Sequence, residues 1–545
     1  MKRRKFVHAL SVGALSSILP SQPMPRAMQF TGPSPDSGDP GSTEDILKPL
    51  GSKTSSSFNA ATRSQLFVDK ILIREERGVF FTPHSAQKQP VPVMRADRPW
   101  EGWRICLFGN VIYDREEKIF KMWYLGETGK KARVPYFPQT EYNQTLYATS
   151  TNGINWEKPL VGTIPAARGE TFAHNCVALV EQPNAFKDPA DPDPERRYKM
   201  ITFIGDPREG RGYYTMISPD GLRWRVYSPS AIAPSRDNIN GFYDARRELY
   251  IAFPKISTKI SGHLRRVYYV MGSKNFQQWG RPVMSFAPDL RDDVGAMGRL
   301  ERFRSVLNEG INPQQIRSEF YGLGFYQSES CTLGFPWVLT VNDNDRFGNQ
   351  DGITEIQLAV SHDLISWNRP FRLPCITQGN PGEWDSGFIT TANEALRIGD
   401  EVWLYYSGSN YSHGCPCFYE NDDSGQGTKY TASIGLAKWK LDRFVSVDGP
   451  AEGGTVDTVP LNFSGTRLEV NAAVKSGGSL TVQVLDPGGR PLPGFGISEP
   501  FRGDELRHTV RWKGTEQLAS LIGKPISLRF RISQGSLFAF AFRET

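Results

Sequence analysis

Four short stretches place acidic residues where they could do proton chemistry. DRPWEGWR at 97–104 carries Asp97 and Glu101, SRDNIN at 235–240 carries Asp237, RSEFYG at 317–322 carries Glu319, and GEWDSG at 382–387 carries Glu383 and Asp385. A fifth stretch, FAHNC at 172–176, offers His174 and Asn175 instead. Each lies upstream of an aromatic, β-branched strand: FKMWYLG from 120, YKMITFIG from 198, LYIAFPK from 249, FPWVLTV from 335 and VWLYYSGSN from 402. Carboxylates that converge in a low-dielectric site repel one another and their pKa values separate, so an acid and a carboxylate coexist near neutral pH. Cleavage of a glycosidic bond needs that pairing, one group to protonate the leaving oxygen and one to activate water or attack the sugar. The competing use of the same acids is to cap turns or to pair with Arg104, Arg236 and Arg317.

Reach and surroundings divide the roles. Glu319 has the longer side chain and stands beside Phe320 and Tyr321, so it is expected to be the general acid. Asp237 or Asp385 is then the base or nucleophile, and the other orients the sugar. Asp97, Glu101, Glu383, His174, Asn175 and Asn238 are expected around the substrate. Trp103, Tyr321 and Trp384 offer faces on which a sugar ring stacks, and Arg104 offers a clamp for a hydroxyl or an acidic group. His413, in the long loop 407–430, is placed at the pocket rim. DNDRFGNQDG from 343 gathers Asp343, Asp345 and Asp351 around Gly348, but it lacks the bidentate Glu of an EF-hand, and no metal is expected. Strand direction puts Glu329 and Asp244 on hairpins at the opposite face.

A repeat must position these groups. STNGINW at 150–156, SPDGLRW at 218–224, SKNFQQW at 273–279 and SHDLISW at 361–367 share Ser first, Asp or Asn third and Trp seventh. Each reads as a tight turn at the end of a third strand, with Trp156, Trp224, Trp279 and Trp367 packing between units on a fourth. A degenerate fifth copy lies in IGLAKWKLDRF, after VWLYYSGSN. Five four-stranded units about an axis make a five-bladed β-propeller, expected over residues 63–450. The S-x-[DN] turns then lie on one face and the acid-bearing starts of the inner strands on the other.

The chain ends are different in kind. MKRRKFVHALSVGALSSILP has a basic start and a short apolar run, and with Arg3-Arg4 it reads as a twin-arginine-like export signal over residues 1–27. Its apolar run falls short of the ~20 residues of a membrane span. Residues 28–62, rich in Ser, Gly and Pro, read as a flexible linker. Removing residues 1–27 takes away five basic residues and no acid, so the formal charge of +6 falls to +1. A nearly neutral, exported, periplasmic or extracellular protein is expected, with no nucleic-acid partner and no membrane association once the signal is gone. Cys106, Cys176 and Cys331 sit in apolar strands as small hydrophobes, and Cys415-Pro416-Cys417 is too cramped for an easy bridge. Residues 455–545 shift to short alternating strands such as RLEVNAAV, SLTVQVLD and LFAFAF, which read as a small β-sandwich. The fold class expected is all-β.

The five units, the inner-strand acids and strands such as MWYLG and LYYSG resemble the five-bladed propeller glycoside hydrolases, the group of invertase-like family 32 and arabinanase-like family 43. LFVDKILI from 66, PWEGWR, DPERRYKM, the S-x-[DN]-G-x-x-W turns and WDSG are similar to a divergent branch labelled family-32-like. The resemblance implies an axial sugar pocket with three carboxylates, hydrolysis of furanosides or related glycosides, a carbohydrate substrate, no redox cofactor, and a sandwich that packs on the blades. The invertase run Trp-Met-Asn-Asp-Pro-Asn is absent. Two alternatives share the scaffold: a glycoside phosphorylase, which needs basic residues near the acids, and a noncatalytic sugar-binding propeller, in which the acids are paired off. The sugar, the linkage, inversion or retention, and the oligomeric state are left open by the sequence.

Overall fold

The computed structural model describes residues 43, 47, 57–127, 137, 143–166, 171–205, 211–233, 237–419, 424–513 and 517–544. The expected export signal, most of the linker and Arg236 lie outside the described residues. Five sheets form the blades of a propeller. Blade 1 runs Arg104–Asp114, Ile119–Glu127, Asn143–Ser150 and Cys176–Ala178; blade 2 runs Glu181–Lys187, Tyr198–Ile204, Gly212–Ser218 and Arg225–Val226. Blade 3 runs Ile239–Asp244, Leu249–Ile260, His263–Ser273 and Val283–Phe286; blade 4 is built on Ile316–Gln327, Thr332–Asn342, Gly352–Gln357 and Pro374–Ile376. Blade 5 runs Ile389–Thr391, Glu401–Ser409 and Ala432–Lys440, and is completed by Gln87–Lys88 from before blade 1. The aromatic strands are the second of each blade. They are buried along their length because neighbouring blades cover both faces, as Tyr198–Ile204 and Thr332–Asn342 show.

The four S-x-[DN] turns are built alike. Ser218 Oγ accepts from the Gly221 N–H at 2.9 Å, while Asp220 Oδ1 accepts from the N–H groups of Leu222 and Arg223, both at 2.9 Å. Ser150, Ser273 and Ser361 repeat the first bond, and Asn152, Asn275 and Asp363 the second. The fourth residue is always left-handed: Gly153 at φ 72°, Gly221 at 77°, Phe276 at 64° and Leu364 at 68°. In three of the four turns its carbonyl links neighbouring blades. Trp123 Nε1 of blade 1 donates to Gly221 O at 2.8 Å, and Tyr405 OH of blade 5 donates to Gly153 O at 2.6 Å. The tryptophans themselves precede the fourth strand instead of lying on it; Trp224 Nε1 folds back to Gly221 O at 3.0 Å.

The stretch 64–83, expected within the propeller, pairs with the C-terminal strands. Gln65–Leu66 joins Ser527–Arg543, Ile73–Arg77 joins Gly454–Thr458, and Phe80–Pro83 joins Val445–Gly449. The β-sandwich is therefore completed from both ends of the chain around Phe67, Val456, Val470, Phe530 and Phe540. It is tied to the blades by Arg443 and Lys440 on Asp504, and by Arg543 on Glu329 at 2.8 Å. A cavity of about 550 Å³ opens on it between Arg77, Glu452, Thr455, Arg529, Arg531 and Ser533. Among the described residues no aromatic ring lines that cavity. No disulfide joins the six cysteines, all of which are buried.

Candidate active site

Inner strands start at one face of the ring, and their first residues define its mouth. Tyr321, on the inner strand of blade 4, is where the blades meet. Its ring lies 6.5 Å from Phe108 of blade 1, 5.3 Å from Phe388 of blade 5 and 4.5 Å from His413, and the Lys255 ammonium of blade 3 stands 4.0 Å from its centre. Asp237 precedes the inner strand of blade 3 in the left-handed region, at φ 59°. Aspartate tolerates that conformation by bonding its own backbone, and the Asn238 N–H donates to the Asp237 carboxylate. Lys255 Nζ pairs with the same carboxylate, whose side chain keeps 38% exposure while that of Lys255 keeps 6%.

Asn238 is sealed beneath this pair. Its amide donates to Gln182 Oε1 at 3.1 Å, and the Tyr268 hydroxyl lies 2.8 Å from its Oδ1. Gln182, at the start of blade 2, is itself left-handed at φ 59°. Two non-glycine residues in a sparsely populated conformation are thus held by one buried amide, a form of strain that clusters at functional sites.

Glu319 stands beside this group but is closed off. Its side chain has no exposed surface, Arg266 Nη1 donates to Oε2 at 2.6 Å, and Arg317 Nε donates to Oε1 at 2.8 Å. With each oxygen already accepting from a guanidinium, no leaving-group oxygen reaches it, and this geometry does not provide the general acid assigned from sequence. Arg317 also reaches Asp343 at 2.8 Å.

Asp385 belongs to a separate group on the flank of blade 5. It is buried, and its Oδ2 accepts from Lys88 Nζ at 2.6 Å and Tyr406 OH at 2.8 Å. Trp384 packs on Tyr406 at 5.6 Å, and the exposed Glu383 accepts from the Asn380 N–H at 2.8 Å. Neither joins the mouth cluster. Asp97 and Glu101 lie over blade 1. Lys158 Nζ bridges Asp97 at 2.8 Å and Glu101 at 2.6 Å, and the buried Glu101 also accepts from Tyr124 OH at 2.7 Å. Asn175 completes that network, taking Trp100 Nε1 at 2.7 Å and donating to the Tyr124 oxygen at 2.9 Å.

His174 and Asn175 precede the outer strand of blade 1, not the inner strand of blade 2, because a long loop delays that outer strand to Cys176–Ala178. His174 packs on Phe137 and Phe172, and burial lowers its pKa. Trp103 packs between Tyr411 and Phe418 instead of standing open, and Arg104 lies on Phe418 at 4.2 Å with Nη1 donating to Tyr411 OH at 2.9 Å.

His413 does reach the mouth. Its Nδ1 meets Gln350 O at 2.8 Å, and its pKa is held well below the ordinary value by burial, then by Arg266, Lys255 and Arg104. Asp351 latches its loop, accepting from Ser412 OH at 2.8 Å and Asn308 Nδ2 at 3.1 Å. Asp343 and Asp351 therefore serve different partners, and among the described residues no cluster of acids, histidines or cysteines is arranged to hold a metal.

Of the residues named from sequence, the structure brings together Asp237, Asn238, Glu319, Tyr321 and His413. It adds Lys255, Arg266 and Gln182. The sign of Lys255 was present in LYIAFPK, where a lysine closes an otherwise apolar run. Burial pulls its pKa below the ordinary lysine value, and Arg266 acts in the same direction against Asp237.

No protein-family model and no curated protein sequence matches the chain. Among solved structures it is similar to a thermostable family-43 glycoside hydrolase, at 13% identity and a TM-score of 0.39, over 64% of this chain and 95% of that one. It is similar to a β-1,2-mannobiose phosphorylase from Listeria innocua, at 11% identity and a TM-score of 0.39, over 66% and 97%. A GH32 β-fructofuranosidase from Bombyx mori follows at 11% identity and a TM-score of 0.36, over 85% and 94%.

Proposed function

We propose that the protein cleaves glycosidic bonds of a carbohydrate at the mouth of the propeller, with Asp237 the carboxylate that exchanges the proton. One observation carries this reading: of the three acids expected at the centre, Asp237 alone keeps open surface, beside a lysine and an aromatic ring. A ring face next to a positioned carboxylate suits a sugar, whose CH face stacks while its hydroxyls bond. Of Asp237 and Asp385, the two residues the sequence offered as base or nucleophile, Asp237 takes that role in this reading. The test is sugar release from a panel of polysaccharides and oligosaccharides by the wild type and Asp237→Asn, with product configuration followed by NMR.

A noncatalytic sugar-binding propeller is the second reading. It is favoured by the sealing of Glu319 and Asp385, which leaves a two-carboxylate mechanism with one reachable member. Glycan binding without turnover supports it. Export belongs to the same proposal, supported by the basic start, Arg3-Arg4 and the short apolar run. Retention of an Arg3→Lys, Arg4→Lys double variant in the cytoplasm, with the wild type exported, tests it.

A further inference from the structure

We propose that the mouth contains an oxyanion subsite, in which Arg266 and Lys255 bind an acidic group brought with the substrate: a carboxylate or sulfate on the glycan, or inorganic phosphate beside it. The proposal rests on the reading of the mouth as a glycan site.

Arg266 and Lys255 share one face of blade 3. Lys255 pairs with Tyr268 and Ser257 with Arg266 across two antiparallel strands, so the two cations are diagonal neighbours on the same side of the sheet. Both turn to Tyr321, at 4.0 Å for the ammonium and 5.5 Å for the guanidinium. The Arg266 fork is unevenly used. Nη1 is committed to Glu319 at 2.6 Å, whereas Nη2 has only Gln350 Oε1 at 3.4 Å and Asn349 O at 3.5 Å, the outer limit of a hydrogen bond. A guanidinium edge so loosely engaged is shaped to receive two oxygens of a carboxylate, sulfate or phosphate.

The charges at the mouth are arranged in pairs: Glu319 is divided between Arg266 and Arg317, Asp343 also holds Arg317, and Asp237 pairs with Lys255. Crowding two cations on one buried face costs electrostatic energy, which is why Arg266 helps to depress the Lys255 pKa. An oxyanion between them offsets that cost. If phosphate is the ligand, an oxygen of hydrogen phosphate bonds to the anomeric carbon as the glycosidic C–O bond breaks, and the leaving oxygen takes up the proton that the phosphate gives up.

The test is isothermal calorimetry on the full chain with inorganic phosphate, sulfate and glucuronate. Wild type is expected to bind at least one of them. Asp237→Asn should bind it more tightly, because a like charge leaves the site, while losing glycoside cleavage. Arg266→Gln combined with Glu319→Gln, which removes both members of a buried pair, should weaken binding by about tenfold or more with folding checked by thermal unfolding.

The sources separate by products. Phosphate-dependent release of a glycosyl phosphate identifies free phosphate, whereas cleavage confined to uronate-bearing or sulfated glycans and indifferent to phosphate identifies a substituent. No binding of any of the three anions by wild type, or equal affinity in the folded double variant, overturns the subsite. Because binding is read without turnover, a failure of cleavage alone leaves this result distinguishable.

Discussion

Asp237 and Lys255 form an ion pair at the start of blade 3, and the sheet itself sets it up. Ile239 pairs with Pro254, which carries the residues just outside the ladder, Asp237 and Lys255, to the same end of two antiparallel strands. The left-handed Asp237 turns its carboxylate across that end, and Asn238 anchors the turn to Gln182. Asn238→Ala should therefore cost about 1–3 kcal/mol, since it leaves buried partners on Gln182 and Tyr268 unpaired. Denaturant unfolding measures the cost, and kinetics on any cleaved glycan should show kcat falling more than KM rises.

Glu394 supplies a pH dependence away from the mouth. It lies past the far end of the blade 5 inner strand, where Gln327 Nε2 donates to its Oε1 at 3.2 Å and its own N–H donates to Asn110 Oδ1 at 3.1 Å. Burial raises its pKa to about 7, with Gln327 and Asn110 opposing and Asp244, itself held by Arg246, adding to the rise. The folded state then binds this proton more tightly than the unfolded chain. Its contribution is fully present below the unfolded carboxyl value and is lost as pH rises through about 7. Glu394→Gln should flatten the fall in stability between about pH 5 and pH 8, read from denaturant midpoints.

Asp114 joins blades 1 and 2. Its buried carboxylate accepts from Lys121 at 3.0 Å, Lys187 at 2.8 Å and Tyr198 OH at 2.9 Å. These partners hold its pKa well below the ordinary range against the opposing effect of burial. Asp114→Asn removes the buried charge and leaves Lys121 and Lys187 with only the exposed Glu117 and Glu116 to pair with. A loss of about 3–5 kcal/mol is expected, measured by urea unfolding, and in the wild type the contribution of this group should be lost only as acid protonates it.

The repeated turns are scaffold. Asp220→Ala removes the acceptor of two backbone N–H groups and should cost about 1–2 kcal/mol, a drop visible in thermal unfolding, with activity per folded molecule unchanged.

The blades were legible because the repeat is local. An aromatic second strand recurs in all five units, and Ser with Asp or Asn two residues on and a left-handed fourth position recur in four of them, so the pattern carries its own physics. What escaped depends on distant partners. Gln87–Lys88 is two residues long and closes blade 5 only because Ala437 and Lys438 lie beside it. The strands from 64 to 83 read as the opening of a propeller, and their place in the sandwich is decided by pairings with residues near the other end of the chain.

The acids followed the same rule. Their positions at strand starts were visible in the letters, and so was Arg317 beside Glu319, but whether each stands open or sealed is decided also by Lys88, Tyr406, Lys158 and Arg266, which lie on other segments. That is why Asp237 stayed with Tyr321 and His413, whereas Asp385 and Glu101 went to separate networks.

The most direct measurement is the turnover of Asp237→Asn against wild type on the glycan that wild type cleaves, with and without inorganic phosphate. Loss of proton exchange at the one exposed central carboxylate should lower kcat by about 10²-fold or more in a protein that still unfolds cooperatively on heating. A folded Asp237→Asn protein that cleaves at the wild-type rate would contradict the assignment of chemistry to the Asp237–Lys255 pair.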